Sequence, residues 1–250
     1  MSKLTTQILW AGGLLLSGCI ATFGQAQDAA QQAPKPPKWE KSAALGLTLT
    51  RGNSETLLFT GNILASRKDG PNEYNLGADL TYGESSGKQN ANAFHGFGQY
   101  NRLFGNRAFG YFRVEGLHDE IALVRYRFII SPGAGYYFIK NKDVSLRGEV
   151  GPGYITERLR DKNDDYATLR VAERYDHKLS DKVKLWQTAE FLPQVDKFEN
   201  YILNAELGVD TSLTPKLSLR SYVQDTYKSR PAFGRKRNDV KLVTAIAYKF

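Results

Sequence analysis

Cysteine is nearly absent from the sequence, since Cys19 is the only one among 250 residues. An intrachain disulfide is therefore excluded, and the fold has to stand without that covalent support. Long apolar runs are absent too: past the N-terminus, no stretch reaches the roughly 18 apolar residues that a transmembrane helix requires. Hydropathy does not detect β-barrels, however, because their strands face lipid with only every second residue.

Histidine is also scarce, and the three present, His95, His118 and His177, offer little material for acid–base catalysis. No serine lies two residues from any of them, so a serine–histidine nucleophile is not indicated. The run His118-Asp119-Glu120 falls near a predicted strand end, where adjacent side chains point apart, and this disfavours a metal site. The sequence therefore predicts no catalytic residue, no metal and no cofactor, and a solvated loop histidine is the ordinary interpretation of His118.

Two glycine-rich stretches, SPGAGYY and VGPGY, are not followed by a helix, so a phosphate-binding loop is not indicated. Their glycines are Gly133, Gly135, Gly151 and Gly153. A short turn joins the two stretches, which places these glycines nearly opposite one another in neighbouring strands. With Pro132 and Pro152 in the same patch, we expect a kink or bulge there, or extra room inside the fold.

The N-terminus has the build of an export signal: one basic residue, Lys3, is followed by an apolar core and then by small residues. Two cleavage sites compete. The small-x-small stretch at 24–26 fits ordinary signal peptidase and gives a signal peptide of 1–26, whereas Leu-Ser-Gly before Cys19 resembles a lipobox that would leave Cys19 lipidated. The apolar residues 20–23 favour the first site. Residues 27–38 are rich in Gln, Ala and Pro, and they predict a flexible leader before a domain over 39–250.

From residue 39 onward the chain repeats segments of about 9–12 residues that alternate in polarity and are separated by turn residues. YNLGADLTY is the clearest, with Tyr74, Leu76, Ala78, Leu80 and Tyr82 on one face and polar or small residues on the other. Aromatic residues at both ends of an aliphatic band are typical of a strand that crosses a membrane. Counting such segments predicts about twelve strands.

The connections between these segments alternate in character. Every second one is tight, such as KDGPN, FGNR, KNKD, LSDK and LTPK, whereas the others are mostly longer or more charged, such as ESSGKQN and KSRPAFGRKRND. Short turns at one rim and longer loops at the other are typical of outer-membrane barrels, with the short turns in the periplasm. The predicted fold is therefore an all-β antiparallel transmembrane β-barrel with short periplasmic turns and longer extracellular loops.

Charged residues of both signs share the faces opposite the apolar bands, and this favours a membrane barrel over a soluble β-sandwich. Clean apolar bands beside charged faces suit hydrocarbon outside and a wet lumen inside. A soluble sandwich or a lipocalin-like barrel stays the alternative. The residues expected to line the lumen are Arg113, Glu115, Arg125, Arg127, Arg147, Glu149, Arg170, Arg174, Glu190, Glu206, Asp210 and Arg220. The sequence does not decide whether they bound a pore or fill it as an ion-pair plug.

Basic residues exceed acidic ones: the formal net charge is +8, and removal of 1–26 with Lys3 leaves 33 basic against 26 acidic residues, or +7. An exported protein seldom meets nucleic acid, so we expect anionic lipid head groups, lipopolysaccharide or small anionic solutes as partners and no nucleic acid. The basic run at 235–237 is a candidate for head-group contact. The acidic residues Asp161, Asp164 and Asp165 depart from a calcium-loop spacing, and a solvated charge run is the simpler interpretation.

The closing stretch VKLVTAIAYKF, residues 240–250, keeps a two-residue period to the last residue. A closed barrel pairs its last strand with its first, so this end is expected to be held rather than frayed. An aromatic residue suits the membrane interface at the strand end. Ile246, Tyr248 and Phe250 also resemble the signal that the barrel assembly machinery of the outer membrane reads.

Nearly all of 39–250 is similar to the Gram-negative family labelled salt-induced outer membrane protein. The stretches that carry the resemblance are WEKSAALGLTLTRGNSET, RYRFIISPGAGYYFI, VSLRGEVGPGYITE, AERYDHKLSDKVKLWQTAEFLPQVDKFENYIL and YKSRPAFGRKRNDVKLVTAIAYKF. The resemblance implies an outer-membrane barrel and a link to salt or osmotic stress. It implies no substrate, because the family has no established activity.

Three functions remain open from the sequence. The first is a non-catalytic outer-membrane barrel of a Gram-negative bacterium, acting as a narrow passive channel for small ions or solutes or as an envelope-structure protein. The second is a barrel enzyme that modifies lipid or lipopolysaccharide, which the missing serine–histidine spacing argues against. The third is a soluble or lipid-anchored β-protein that binds a small ligand. The oligomeric state is not indicated.

Overall fold

The structure, a computed structural model, describes residues 38–50, 56–160 and 162–250. Within those residues the chain forms twelve antiparallel strands that close into one barrel, with each strand paired to its neighbours in sequence. The strands are β1 (Glu40–Thr50), β2 (Thr56–Asp69), β3 (Asn72–Ser85), β4 (Lys88–Phe104), β5 (Ala108–Asp119), β6 (Val124–Lys140), β7 (Val144–Leu159), β8 (Lys162–Lys178), β9 (Val183–Gln194), β10 (Lys197–Ser212), β11 (Leu217–Lys228) and β12 (Asn238–Lys249). This confirms the predicted antiparallel barrel of about twelve strands.

The barrel closes through the pairing of β12 with β1. The ladder runs from Ser42 opposite Lys249 to Leu45 opposite Ile246, and the amide of Phe250 donates to the carbonyl of Lys41 at 3.1 Å. Closure removes the free sheet edge that would otherwise expose unpaired backbone donors and acceptors. The two-residue period of 240–250 is therefore used to its end, as the sequence predicts.

The outside of the barrel carries an apolar belt. On β12, Val240, Leu242 and Ile246 are exposed, whereas the intervening Val243 and Ala245 are buried. The same alternation exposes Leu76 and Leu80 on β3, in the band that the sequence singles out. Leu242, for example, is 67% exposed. A soluble surface usually exposes large apolar residues singly, whereas here they follow one another along the outer face of strands such as β12. Strand periodicity thus turns apolar residues outward, the reverse of a soluble β-sandwich.

The predicted contrast between short turns and longer loops is wrong for most of the described connections. β3 ends at Ser85 and β4 begins at Lys88, while β9 ends at Gln194 and β10 begins at Lys197. Only two residues therefore connect the strands of each pair. The expected loops are instead continuations of the strands, because polar residues beyond the apolar belt still form ladder hydrogen bonds. Among the described connections, 229–237 between β11 and β12 is the long one, and 51–55 lies outside the described residues.

The barrel has two ends, which we call the turn rim and the loop rim. The turn rim carries the connections that follow the even-numbered strands up to β10, together with the start of β1 and the end of β12. The loop rim carries the connections that follow the odd-numbered strands, including 229–237. This alternation follows from an antiparallel barrel with hairpin connections.

The proline and glycine patch on β6 and β7 lacks the predicted bulge. The pairs Ile130–Tyr154 and Ala134–Val150 flank the patch in one continuous register, and the residues between them do not form ladder pairs. The register shifts of this strand pair lie instead at Val124/Tyr126 and at Tyr137/Ile139. Proline lacks the N–H that the ladder needs, so the patch loses hydrogen bonds without gaining a residue.

The proposed signal peptide of 1–26, Cys19, and the leader up to residue 37 lie outside the described residues. Of the chain that is described, no helix has the length and apolar character to cross a membrane.

Candidate functional site

Side chains from strands that are not neighbours meet inside the barrel. Arg220 of β11 donates to Asn62 of β2 at 3.1 Å, across the two strands that separate them. Gln99 of β4 donates to Glu149 of β7 at 3.0 Å. Such contacts are geometrically available only through the interior of a closed barrel. They identify the inner face of these four strands without reference to hydropathy.

Arg170 of β8 joins two carboxylates on the neighbouring strands. Its Nη1 lies 2.8 Å from Glu149 Oε2, and its Nε lies 2.6 Å from Glu190 Oε1. The three side chains are 6%, 4% and 14% exposed. Arg147 Nε also lies 3.2 Å from Glu149 Oε1, as an ion pair without hydrogen-bond alignment. Charged hydrogen bonds of this kind offset the cost of removing each group from water.

His95 of β4 bridges two acidic residues on the neighbouring strands β3 and β5. Its Nδ1 lies 3.3 Å from Asp79 Oδ2 and its Nε2 lies 3.2 Å from Glu115 Oε1. Glu115 also accepts from Arg113 at 2.7 Å, and Arg113 donates to the side-chain oxygen of Gln99. A protonated imidazole can donate to both carboxylates at once.

Arg220 links this side of the barrel to β10. Its Nη2 lies 3.1 Å from Asp210 Oδ2 while its Nη1 donates to Asn62, and Asn62 donates to Asp79 at 2.6 Å. At the other end, Asn204 donates to Glu190 at 3.0 Å. Side chains from β10 therefore stand at both ends of the chain of contacts.

Together these contacts form a path that circles the lumen, which we call the inner polar network. Its members in order are Asp210, Arg220, Asn62, Asp79, His95, Glu115, Arg113, Gln99, Glu149, Arg170, Glu190 and Asn204. Positive and negative groups alternate along most of it, so each buried charge has a partner of opposite sign. Seven of its members belong to the predicted lumen-lining set.

The other predicted lining residues lie at separate places. Arg127 pairs with Glu157 near the loop rim, with both side chains 5% exposed. Arg174 pairs with Asp176 of its own strand at 2.7 Å and is 38% exposed. Glu206 accepts from the indole N–H of Trp186 at 2.6 Å.

Arg125 departs from the expected inward position. The register shift between Val124 and Tyr126 inserts it as an extra residue, and it is exposed beside the exposed Tyr126. A bulge breaks the two-residue alternation, so Arg125 and Arg127 do not share a face as their spacing suggests.

Glycine recurs opposite the inward aromatic residues. Trp186 is paired with Gly208, and a Cβ on that glycine would lie 2.1 Å from the indole ring. Phe97 and Tyr111 stand in the same relation to Gly77 and Gly133, with closest distances of 2.3 and 2.6 Å. The missing side chains let the rings lie flat on the inner wall.

An arginine of the inner polar network covers each of these three rings. Arg113 lies 4.5 Å from the centre of Phe97, Arg170 lies 5.2 Å from Tyr111, and the third, Arg220, lies 6.0 Å from Trp186. Cation–π contact and flat packing fix where each guanidinium can reach. The glycines thus position the arginines of the network. For Gly133 the sequence predicts only a kink or bulge, or extra room inside the fold.

Much of the inner wall is closed to water. Ala44 and Ala247 are small wall residues yet only 2% and 0% exposed, and Asn101, Ser131 and Ser218 are each 0% exposed. Small wall residues become inaccessible only where other side chains fill the space in front of them. More room remains near Asp79 and His95, whose side chains are 30% and 26% exposed.

Five network members are missing from the predicted lining set: Asn62, Asp79, His95, Gln99 and Asn204. The side-chain alternation of its own strand places each of them on the inner face, so the two-residue period could have predicted these positions. Their pairing could not be found that way, because Gln99 and Glu149 are 50 residues apart and belong to strands that are not neighbours.

The side chains of residues 118–120 do not converge on one point, because each contacts a different partner. His118 Nδ1 contacts the carbonyl of Arg125 at 2.7 Å, Asp119 accepts from the amide of Ala122, and Glu120 accepts from Asn92. Within the residues that the structure describes, no group of three His, Cys, Asp or Glu could hold a metal ion.

The remaining predicted sites lie at the surface. Tyr248 and Phe250 are exposed with ring centres 6.1 Å apart, and Ile246 is exposed on the same face. The basic run at 235–237 is exposed in the long connection at the loop rim. Asp164 lies 2.9 Å from Lys162 Nζ, and Asp161 is outside the described residues.

Comparison with solved structures finds outer-membrane barrels. The NanC porin in its rhombohedral crystal form has a TM-score of 0.50 at 8% identity, covering 84% of this chain and 98% of that one. The KdgM porin has a TM-score of 0.47 at 9% identity over 85% and 99% of the two chains. The translocator domain of the autotransporter NalP from Neisseria meningitidis has a TM-score of 0.43 at 16% identity over 85% and 86%. At such identities the likeness concerns the fold alone.

No curated protein matches the sequence. Residues 43–250 match the family described as "Protein of unknown function, DUF481". That match does not carry the label salt-induced outer membrane protein. Because it covers most of the chain, the protein belongs to the DUF481 family.

Proposed function

We propose that the protein is an outer-membrane barrel that passes small ions or solutes passively through a narrow lumen. The observation that carries the proposal is the inner polar network, which surrounds the lumen with paired charges. Charged groups that face one another across a narrow passage control which ions enter it. Asp79 and His95 are the network members to which we assign contact with the passing solute, because both keep substantial exposure.

Placement in the outer membrane is supported by the apolar belt. Exposed residues such as Leu76 on β3, Ile130 on β6 and Leu207 on β10 lie on well-separated strands around the outside, and their exposure to water would be costly. Antiparallel barrels satisfy every backbone group without an edge, which is the condition for spanning hydrocarbon. In this placement the turn rim faces the periplasm and the loop rim faces outward.

Conductance tests the channel. We expect the wild-type protein in a planar bilayer to give small discrete steps, and Arg220→Ala to enlarge them by at least about twofold, since removal of a guanidinium frees space and unpairs Asp210 and Asn62. Arg230→Ala is the matched control, because Arg230 pairs with Glu199 at the exposed loop rim. Steps should be compared at several salt concentrations and both signs of bias.

A second function is favoured by the closed inner wall. If wild type and Arg220→Ala both insert but neither conducts, the network fills the lumen, and the protein acts as an envelope-structure barrel. A role in salt or osmotic stress enters this proposal solely through the sequence resemblance. Lipid modification would have to use surface groups such as His118, so loss of a lipid product in His118→Ala would overturn the non-catalytic proposal.

Assembly is proposed to depend on the outward aromatic residues of β12. We expect Tyr248→Ala/Phe250→Ala to reduce the folded amount in the outer membrane of cells several-fold, because the assembly machinery reads these residues. Refolding in detergent should change little. The matched control is Val240→Ala/Leu242→Ala, which removes exposed apolar groups from the same face of the same strand. Equal losses for both variants, measured by heat-shifted mobility in gels, would contradict the proposal.

A further inference from the structure

The outer wall carries a groove near the loop rim that the channel proposal does not use. It has a volume of about 330 Å³ and spans β6, β7 and the start of β8. Its lining residues are Phe128, Ile130, Tyr154, Thr156 and Asp165. Three of the five side chains are apolar or aromatic and exposed, so the groove offers a mainly apolar floor to an extended chain.

Two arginines stand at the loop-rim end of this groove. Arg158 lies two residues beyond Thr156 on the same face of β7 and is half-buried, and its buried Nε has no hydrogen-bond partner among the described residues. Arg125 is exposed at the β6 bulge beside Tyr126. The contacts of the described residues give neither guanidinium an ion-pair partner. Two cations that lack an ion-pair partner among the described residues, beside an apolar groove, are the complement of an anionic amphiphile.

Asp165 fixes the direction in which such a molecule would lie. Its carboxylate accepts from the hydroxyl of Thr156 within the groove. A second anion beside that carboxylate would be repelled, so the head group belongs at the arginine end and the chain belongs over the aromatic floor. Tyr126 and Phe128, with ring centres 5.9 Å apart, connect the two parts of the site.

We propose that this groove binds a phosphorylated acyl lipid. The phosphate accepts hydrogen bonds from Arg125 and Arg158, and one acyl chain packs on Phe128, Ile130 and Tyr154. Guanidinium groups present two parallel donors to phosphate oxygens, and the chain covers apolar surface. The inference rests on the proposed membrane placement, which brings the site level with lipid head groups. Binding holds whether or not the lumen conducts.

Native mass spectrometry of the full protein in an uncharged detergent tests the site. The probes are phosphatidylglycerol, lipid A, diacylglycerol as the acyl chains without phosphate, and inorganic phosphate. We expect Arg125→Ala/Arg158→Ala to bind both phosphorylated lipids about tenfold or more weakly. Arg102→Ala/Arg230→Ala is the matched control, since it removes the same charge from the turn rim and from an exposed loop-rim pair. Ile130→Trp should fill the groove and weaken lipid binding with both arginines intact.

Each outcome decides the proposal. Weaker lipid binding in the arginine and groove variants, but not in the control, supports it. Equal weakening in the control pair means general charge attraction and overturns it, as does unchanged binding in all variants. Competition by inorganic phosphate at concentrations equal to those of the lipids means a free-phosphate site instead. Insertion into vesicles, measured on the same variants by carbonate extraction, reports separately on the membrane placement.

Discussion

Replacement of Arg170 by alanine is expected to lower the free energy of unfolding by about 3–5 kcal/mol. The change leaves Glu149 and Glu190 without the cation that lies 2.8 and 2.6 Å from them. Glu149 keeps Arg147 at 3.2 Å, but in an alignment that forms no hydrogen bond. Glu149 is only 4% exposed, so water cannot replace the charged hydrogen bond that it loses, and this makes the loss large.

The measurement is reversible urea unfolding in detergent micelles, followed by tryptophan fluorescence. Arg230→Ala serves as the control, because its exposed pair with Glu199 should contribute about 0–1 kcal/mol. Glu149→Gln/Glu190→Gln in the Arg170→Ala background should restore part of the stability, since neutral amides need no cation. A loss below about 1 kcal/mol for Arg170→Ala would mean that water reaches these carboxylates, and that the lumen is more open than the inner polar network indicates.

Strand count, strand order and outward faces could be predicted because they depend on local periodicity. The band from Tyr74 to Tyr82 is a period-two pattern within a single segment, and antiparallel pairing of neighbours in sequence then follows. The residues at which the strands end were harder to predict from the sequence. Polarity alternation stops where the apolar belt ends, whereas hydrogen bonding continues to Ser85 and Lys88 and replaces a predicted loop with a two-residue turn.

The inner polar network could be predicted only in part, because its contacts depend on the curvature of the barrel. The inward parity of Glu149 and Arg170 follows from the sequence, but the contact of Glu149 with Gln99 joins strands three apart around the wall. The prediction that Arg125 lines the lumen is wrong for a different reason. A single inserted residue reverses the face, and nothing in RYRF signals that insertion.

Glycine opposite an inward aromatic residue gives the second large effect. Trp186→Ala is expected to cost about 3–5 kcal/mol, because the indole is 9% exposed, holds Glu206 through a 2.6 Å hydrogen bond and lies under Arg220. Gly208→Ala should cost about 1–3 kcal/mol, since its new Cβ would meet the indole ring at 2.1 Å and push it into the lumen.

A double-mutant cycle separates this packing from ordinary strand effects. With Trp186 already alanine, Gly208→Ala should cost less than about 0.5 kcal/mol, because the ring that clashes is gone. Gly96→Ala is the matched control: its Cβ would meet nothing closer than 3.7 Å, so its effect should be the same in both backgrounds. Unfolding is followed by far-ultraviolet circular dichroism, which does not depend on the removed tryptophan. If the cost of Gly208→Ala were equal with and without Trp186, the glycine would act through the backbone, and the ring would not be what sets the reach of Arg220 across the lumen.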